Sequence, residues 1–283
     1  MYVLFVRSDN ERFLVDNSKW GMVNEIGGIS TPPLEINTIN KIGDAGAILS
    51  DKRVGTRDIS FELVGRKGKR SELRNEALNF FNPDFSYTIY MSYLTGVTRQ
   101  ISCELYNVAM PAKSVRDMVT INVTFLALDP YFKSGDVNTI FLGYVVGMFG
   151  FPYVSPVGKG FTTGVINEQH NIAVNNDGNM KAPFSVEMKF NGAVKNPTLL
   201  VNEKPFKVLL DFAVSDVLYV SFETMPPKIT KNGVNCIQYL SRDTDFISMV
   251  FNRGLNSVSY TADSGMENIT ATIKYFKRYL GVV

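Results

Sequence analysis

The chain has 283 residues, 45% of them hydrophobic and 20% charged; that is a globular composition, long enough for about two domains at roughly 150 residues each, and it excludes disorder over most of the length. Twenty-nine Lys and Arg against 27 Asp and Glu leave a net charge of +2, which indicates neither a strongly basic nucleic-acid binder nor an acidic tail protein. One His and two Cys exclude a structural zinc site, which needs about four such ligands, and a disulfide scaffold.

The opening "MYVLFV" is apolar, but Arg7 and Asp9 cut it short and no basic segment precedes it, so no targeting signal is expected. Residues 21–50, with "TPPLEINTINKIGDAGAIL", hold too many Gly and Pro for a simple packed strand and suggest a long hairpin. "TRDISFELVG" alternates, with Ile59, Phe61 and Leu63 on one face and Asp58, Ser60 and Glu62 on the other. Next comes a basic run, Arg66, Lys67, Lys69, Arg70 and Arg74, whose "GRKGKRS" lacks the four-residue gap of a phosphate-binding loop and reads as a solvated loop or an intersubunit contact. "SELRNEALNFF" predicts one amphipathic helix over 71–81: Ser71 is a suitable N-cap, Leu73, Ala77, Phe80 and Phe81 share a face, and Asn82-Pro83 stops it. "QISCELYN" and "MVTINVTFLAL" alternate again, through Ile101, Cys103 and Leu105 and through Val119, Ile121, Val123 and Phe125. A single helix therefore packs on a sheet.

Asp129-Pro130 ends this half. Val137 to Gly158 carries no charge, yet its glycines and Pro152 would break a spanning helix, so it reads as an extended aromatic-rich segment and no membrane span is expected. Loss of alternation there marks a boundary, giving domains 1–134 and 165–283 with a Gly/Pro-rich linker at 135–164. The second half is strand-rich without a convincing helix. "APFSVEMKFNG" alternates through Phe184, Val186, Met188 and Phe190 and ends in Asn-Gly, as does the "ITKNGVN" turn. Short strands at "NPTLLV", "FKVLL", "VLYVSFET", "NSVSYTA" and "NITATIKYF" argue for an antiparallel β-sandwich.

Reactive groups are sparse. Cys103 and Cys236 sit in strand-like runs and read as buried free thiols, with a Cys103–Cys236 disulfide as the alternative, and His170 reads as an exposed loop residue. Asp243 and Asp245 are spaced for one strand face, but a charged turn or strand end accounts for them better than a glycosidase pair or a calcium loop. Tyr219, Tyr239 and Tyr260 are equally readable as core, interface or glycan-stacking residues, while Trp20 lies outside this half. No catalytic, cofactor-binding or metal-binding residue is assigned, and no cofactor or enzyme activity is expected.

Taken together, "DAGAIL" followed by "RVGTRDISFEL", then "SELRNEALNFF", "TRQISCELYNV" and "VTINVTFLALDPYF", resemble the distal tail protein family of long-tailed bacteriophages. "GMFGFPYVSP", "VNNDGNMKAPFSVEMKFNGAVKNPTLLVN" and "SRDTDFISMVFNRGLNSVSYTA" continue the likeness, and Asp129-Pro130-Tyr131-Phe132 is its sharpest signature. The resemblance implies a mainly β fold: an N-terminal β-sandwich with one α-helix and a long hairpin, and a C-terminal galectin-like antiparallel β-sandwich. It implies a structural tail-tip protein in the virion, made in the bacterial host cytoplasm. Its partners would be itself, in a hexameric ring, the tail tube protein, the tail-associated hub protein and, in some relatives, a receptor-binding protein, with no specific nucleic-acid binding. A carbohydrate-binding β-sandwich protein of host-surface recognition is the alternative.

Overall fold

The computed structural model describes residues 2–92, 96–111, 118–143, 145–147, 164–166 and 171–282. Residues 144 and 148–163 of the expected linker, and His170, lie outside them. The chain divides into two compact units, the first made of residues 1–135 and 278–283 and the second of residues 136–277.

The first unit contains β1 (Tyr2–Arg7), β2 (Arg12–Val15), β3 (Trp20–Met22), β4 (Leu34–Asn40), β5 (Ala47–Val54), β6 (Arg57–Gly65), α1 (Arg70–Phe80), β7 (Ser86–Ser92), β8 (Thr98–Ala109), β9 (Thr120–Ala127) and β10 (Phe132–Ser134). One antiparallel sheet runs β2-β1-β7-β8-β9-β6-β3, with β10 on β8. The sheet coils on itself, because Phe5 of β1 packs on Phe61 of β6 and on Phe125 of β9 at 5.0 and 5.5 Å between ring centres. The alternating residues Ile59, Phe61, Leu63, Ile121, Val123 and Phe125 all point into this core. Helix α1 closes it with Leu73, Ala77 and Phe80, and Phe81 just past its end is also buried. The N-cap lies two residues earlier than expected: Lys69 occupies it without a side-chain hydrogen bond, and Ser71 lies inside the first turn. In β8 a bulge at Tyr106, between Leu105 and Asn107, turns that ring out to solvent.

The second unit contains β11 (Asn138–Leu142), β12 (Val145–Gly147), β13 (Gly164–Ile166), β14 (Asn171–Asn176), β15 (Phe184–Phe190), β16 (Val194–Lys195), β17 (Thr198–Val201), β18 (Lys204–Lys207), β19 (Asp211–Phe212), β20 (Val217–Ser221), β21 (Lys228–Lys231), β22 (Val234–Asn235), β23 (Gly254–Thr261) and β24 (Ile269–Tyr275). A six-stranded sheet, β11-β24-β15-β20-β21-β22, and a four-stranded sheet, β14-β23-β17-β18, enclose one core. Its inner face carries Phe184, stacked on Phe251 at 4.6 Å, and Phe190, stacked on Phe212 at 4.2 Å. Strand β25 (Arg278–Tyr279) then returns to the first unit and pairs with β10.

The division differs from the expected one at both ends of the second half. Asn138–Leu142, inside the expected linker, is a full strand on β24, and residues 278–283 belong to the first unit. Glycine-flanked and two-residue strands carry too little alternation to be read. Among the described residues no helix is long and apolar enough to cross a membrane.

Two outcomes follow. Phe5→Ala should remove about 3–5 kcal/mol from the first unit, because four ring neighbours lose their partner at once; urea unfolding reads this directly. In the second unit the Asp216 carboxylate is held down at about 2 by the Ala213 amide, Asn232 and Lys231. Its folded pKa lies below the unfolded one, so its contribution is complete above the usual carboxylate range and lost as pH falls toward 2. Asp216→Asn should thus lower the thermal midpoint of this unit at pH 7 and leave it nearly unchanged at pH 2.

Candidate assembly interface

Strands β4 and β5 form a hairpin outside both sheets, and every one of their residues except the half-buried Val54 is exposed. The register runs Leu34↔Val54, Glu35↔Arg53, Ile36↔Lys52, Asn37↔Asp51, then jumps to Thr38↔Leu49, Ile39↔Ile48 and Asn40↔Ala47. Ser50 is therefore a bulge, and it reverses the inside-outside order of β5 beyond it. One face carries Leu34, Ile36, Val54 and Leu49; the other carries the Glu35–Arg53 ion pair near the root and Ile39 with Ile48 toward the tip. Ile42, in the tip loop, is fully exposed. The hairpin was expected at 21–50 and lies at 34–54, because Trp20–Met22 is instead an edge strand on β6.

A two-stranded ribbon has marginal stability of its own. This one also exposes apolar side chains on both faces and unpaired main-chain groups on both edges. Such a ribbon is suited to being covered by another protein surface.

Its root is held by a buried cation. Arg57, at the start of β6, is 1% exposed. Its Nη1 donates to the carbonyls of Gly28 and Ser30 at 2.6 and 2.8 Å, its Nε to Pro130 O at 2.7 Å and its Nη2 to Leu280 O at 2.7 Å. The guanidinium lies 4.7 Å from the centre of the Phe132 ring. Burial lowers its pKa to about 10, which leaves it charged at neutral pH. This residue escaped the sequence reading. The signal was present, since Arg57 has the same parity as Ile59, Phe61 and Leu63 and therefore points inward with them.

The other sequence candidates are scattered. Arg66, Lys67, Lys69, Arg70 and Arg74 are exposed between β6 and α1 or on the helix, with Lys69 3.5 Å from Glu72 and Arg74 3.5 Å from Met110 O. Cys103 and Cys236 are buried free thiols in different units, and burial raises the pKa of both. Asp243 lies in a turn and Asp245 caps the 3-10 helix Phe246–Ser248, so the two do not share a strand face; Asp245 accepts the amides of Ile247 and Ser248 and pairs with Lys204 at 3.6 Å. Tyr260 is buried with its hydroxyl donating to Ile269 O at 2.9 Å, Tyr219 is half-buried, and Tyr239 alone of the three is exposed. Trp20 is buried in the first core. Among the described residues no three His, Cys, Asp or Glu side chains converge as a metal site.

The described residues thus form a β-rich molecule with two cores and an exposed hairpin. Residues 177–279 match the family model of the siphovirus-type tail component, C-terminal domain. No curated protein sequence matches the chain. In fold, 98% of the chain matches 99% of the SPP1 Dit (gp 19.1) protein, described as a paradigm of hub adsorption apparatus in Gram-positive-infecting phages, with 14% identity and a TM-score of 0.70. It also matches a chain of the phage p2 baseplate in its activated conformation with Ca, at 10% identity and a TM-score of 0.53 over 98% of each chain. The resemblance read in the sequence thus recurs as a family match over most of the second unit and a shared fold over the whole length.

If the hairpin is free of its own unit, Ile39→Asp with Ile48→Asp should change the unfolding free energy by no more than about 0.5 kcal/mol. Thermal and urea unfolding of the isolated chain test this; a larger loss would mean that the hairpin packs on its own unit.

Proposed function

We propose that this protein is a structural component of the distal end of a siphovirus-type tail, where copies close into a ring that joins the tail tube to the baseplate hub. The match of residues 177–279 to a siphovirus-type tail component domain carries this reading. The shared fold with a hub adsorption protein and a baseplate chain supports it over the full length. The uncovered hairpin supplies the means of assembly. A closed ring needs a head-to-tail contact between two different patches, and a ribbon projecting from one copy meets that need by lying against the next. Six copies per ring, and the anchoring of a receptor-binding protein by the second unit, follow from the resemblance to distal tail proteins and belong to the same proposal. The role is one of shape and contact without turnover. The glycan-binding alternative retains only Tyr239 as an exposed ring among its three tyrosines.

The test is assembly. Negative-stain microscopy and mass photometry of the purified chain, alone and with a tube protein, should show rings. Deleting Ile36 to Gly46 should reduce them to monomers with both units still folded. Rings formed equally well without those residues would refute the hairpin as the joining element.

A further inference from the structure

We infer that Arg57 and residues 278–282 form a latch that holds the root of the β4–β5 hairpin and so sets the direction in which it leaves the first unit. The inference rests on the reading of the hairpin as the assembly arm. It adds a positioning residue and a positioning segment that lie outside the hairpin.

Little regular structure holds the root. Gly27 makes an isolated bridge to Ser60, and Gly55 N donates to Pro33 O at 3.0 Å. Between these points Pro32 and Pro33 have no N–H to give. Ile26 is buried and Ile29 packs on the core, and the remaining polar ties come from one guanidinium and one neighbouring segment. Nη1 of Arg57 takes both Gly28 O and Ser30 O, Nη2 takes Leu280 O, and the Val282 amide donates to Ile29 O at 3.0 Å. The donors of a guanidinium point in fixed directions in one plane. Leu280 on one side of the fork therefore fixes where Gly28 and Ser30 sit on the other.

The approach is close enough to demand glycine twice. Gly28 has φ +77°, and a Cβ there would lie 1.9 Å from Asp58 O. A Cβ on Gly281 would lie 2.6 Å from Ile29 O and 3.0 Å from Ser30 O. The segment is itself anchored: Tyr279 pairs with Phe132 and Arg278 with Lys133, Arg278 meets Asp129 at 2.8 Å, and Arg99 lies 3.4 Å from the centre of the Tyr279 ring. An apolar residue at 57 would fill the space without the cost of a buried charge that has only carbonyls and a ring for partners. What it could not do is tie three irregular segments to one another.

The experiment is hydrogen exchange with mass spectrometry on the full chain carrying Arg57→Met, on one carrying Gly281→Val, and on one lacking residues 278–283. The bonded amides of the root, Gly27 to Ser60 O and Gly55 to Pro33 O, should exchange at least about tenfold faster in all three, with β1, β7, β15 and β24 unchanged. Gly281→Val keeps Arg57 and serves if the other two variants fold poorly. In the Arg57→Met background, a disulfide from Ile29→Cys with Val282→Cys, whose main chains already meet at 3.0 Å, should restore protection of the root. Mere repair of a core defect would not follow from such a link. Root protection unchanged in Gly281→Val and Arg57→Met, or lost equally across β1 and β7, would overturn the latch. Ring yield on the same samples, beside the deletion of Ile36 to Gly46, separates the two claims: rings unchanged by the deletion sink the hairpin as assembly arm, whereas a wild-type root, or wild-type rings from a loosened root, sinks the latch.

Discussion

A guanidinium buried without a carboxylate partner places a strict demand on its surroundings. Every donor left without an acceptor costs free energy, and in the first unit the acceptors are main-chain carbonyls. Carbonyls inside a ladder are already engaged, so those that turn to Arg57 belong to irregular segments: Gly28 and Ser30, Pro130, and Leu280. Asp129-Pro130-Tyr131-Phe132 gains a physical meaning from this. Asp129 receives Arg278, Pro130 offers its carbonyl to Arg57, and Phe132 lays its ring beside the guanidinium while pairing with Tyr279. The motif is a joint between β10, Arg57 and the returning strand.

The two kinds of apolar residue are used differently. Phenylalanines fill the cores, where edge-to-face and stacked contacts around Phe5, Phe125, Phe184 and Phe190 fix the packing of curved sheets. The hairpin instead carries Leu and Ile in the open. The bulge at Ser50 distributes them over both faces, so no single flat surface of the first unit could cover them all. Burying one face would leave the other wet. The ribbon is therefore shaped to lie between surfaces.

Alternation made the long strands legible, because half-buried strands must place Ile59, Phe61 and Leu63, or Phe184, Val186 and Met188, on one side. The amphipathic helix was legible for the same reason at a different period. What escaped had no period to show. Strand β25 is two residues long, β11 sits among glycines, and Asp243 with Asp245 occupies a turn whose geometry spacing alone does not specify. The hairpin was foreseen from its Gly and Pro content but misplaced, since nothing buried pins its register to the rest of the chain. Arg57 was hidden by its type: a charged residue at the end of an alternating run looks like a strand terminus until its parity is counted.

The pairing of β10 with β25 bears on how such a protein can vary. The chain leaves the first unit after Gly135 and re-enters it at Arg278, and Lys133 lies directly opposite Arg278. The exit and the entry are thus neighbouring strands of one pair, closed by hydrogen bonds and by the Arg278–Asp129 contact. The entropy of closing a loop grows only with the logarithm of its length, so the first unit is almost indifferent to how many residues lie between those two points. The constraint on it is that residues 278–282 return. A unit completed by five residues from beyond the insertion can keep its own fold while the inserted unit changes in size.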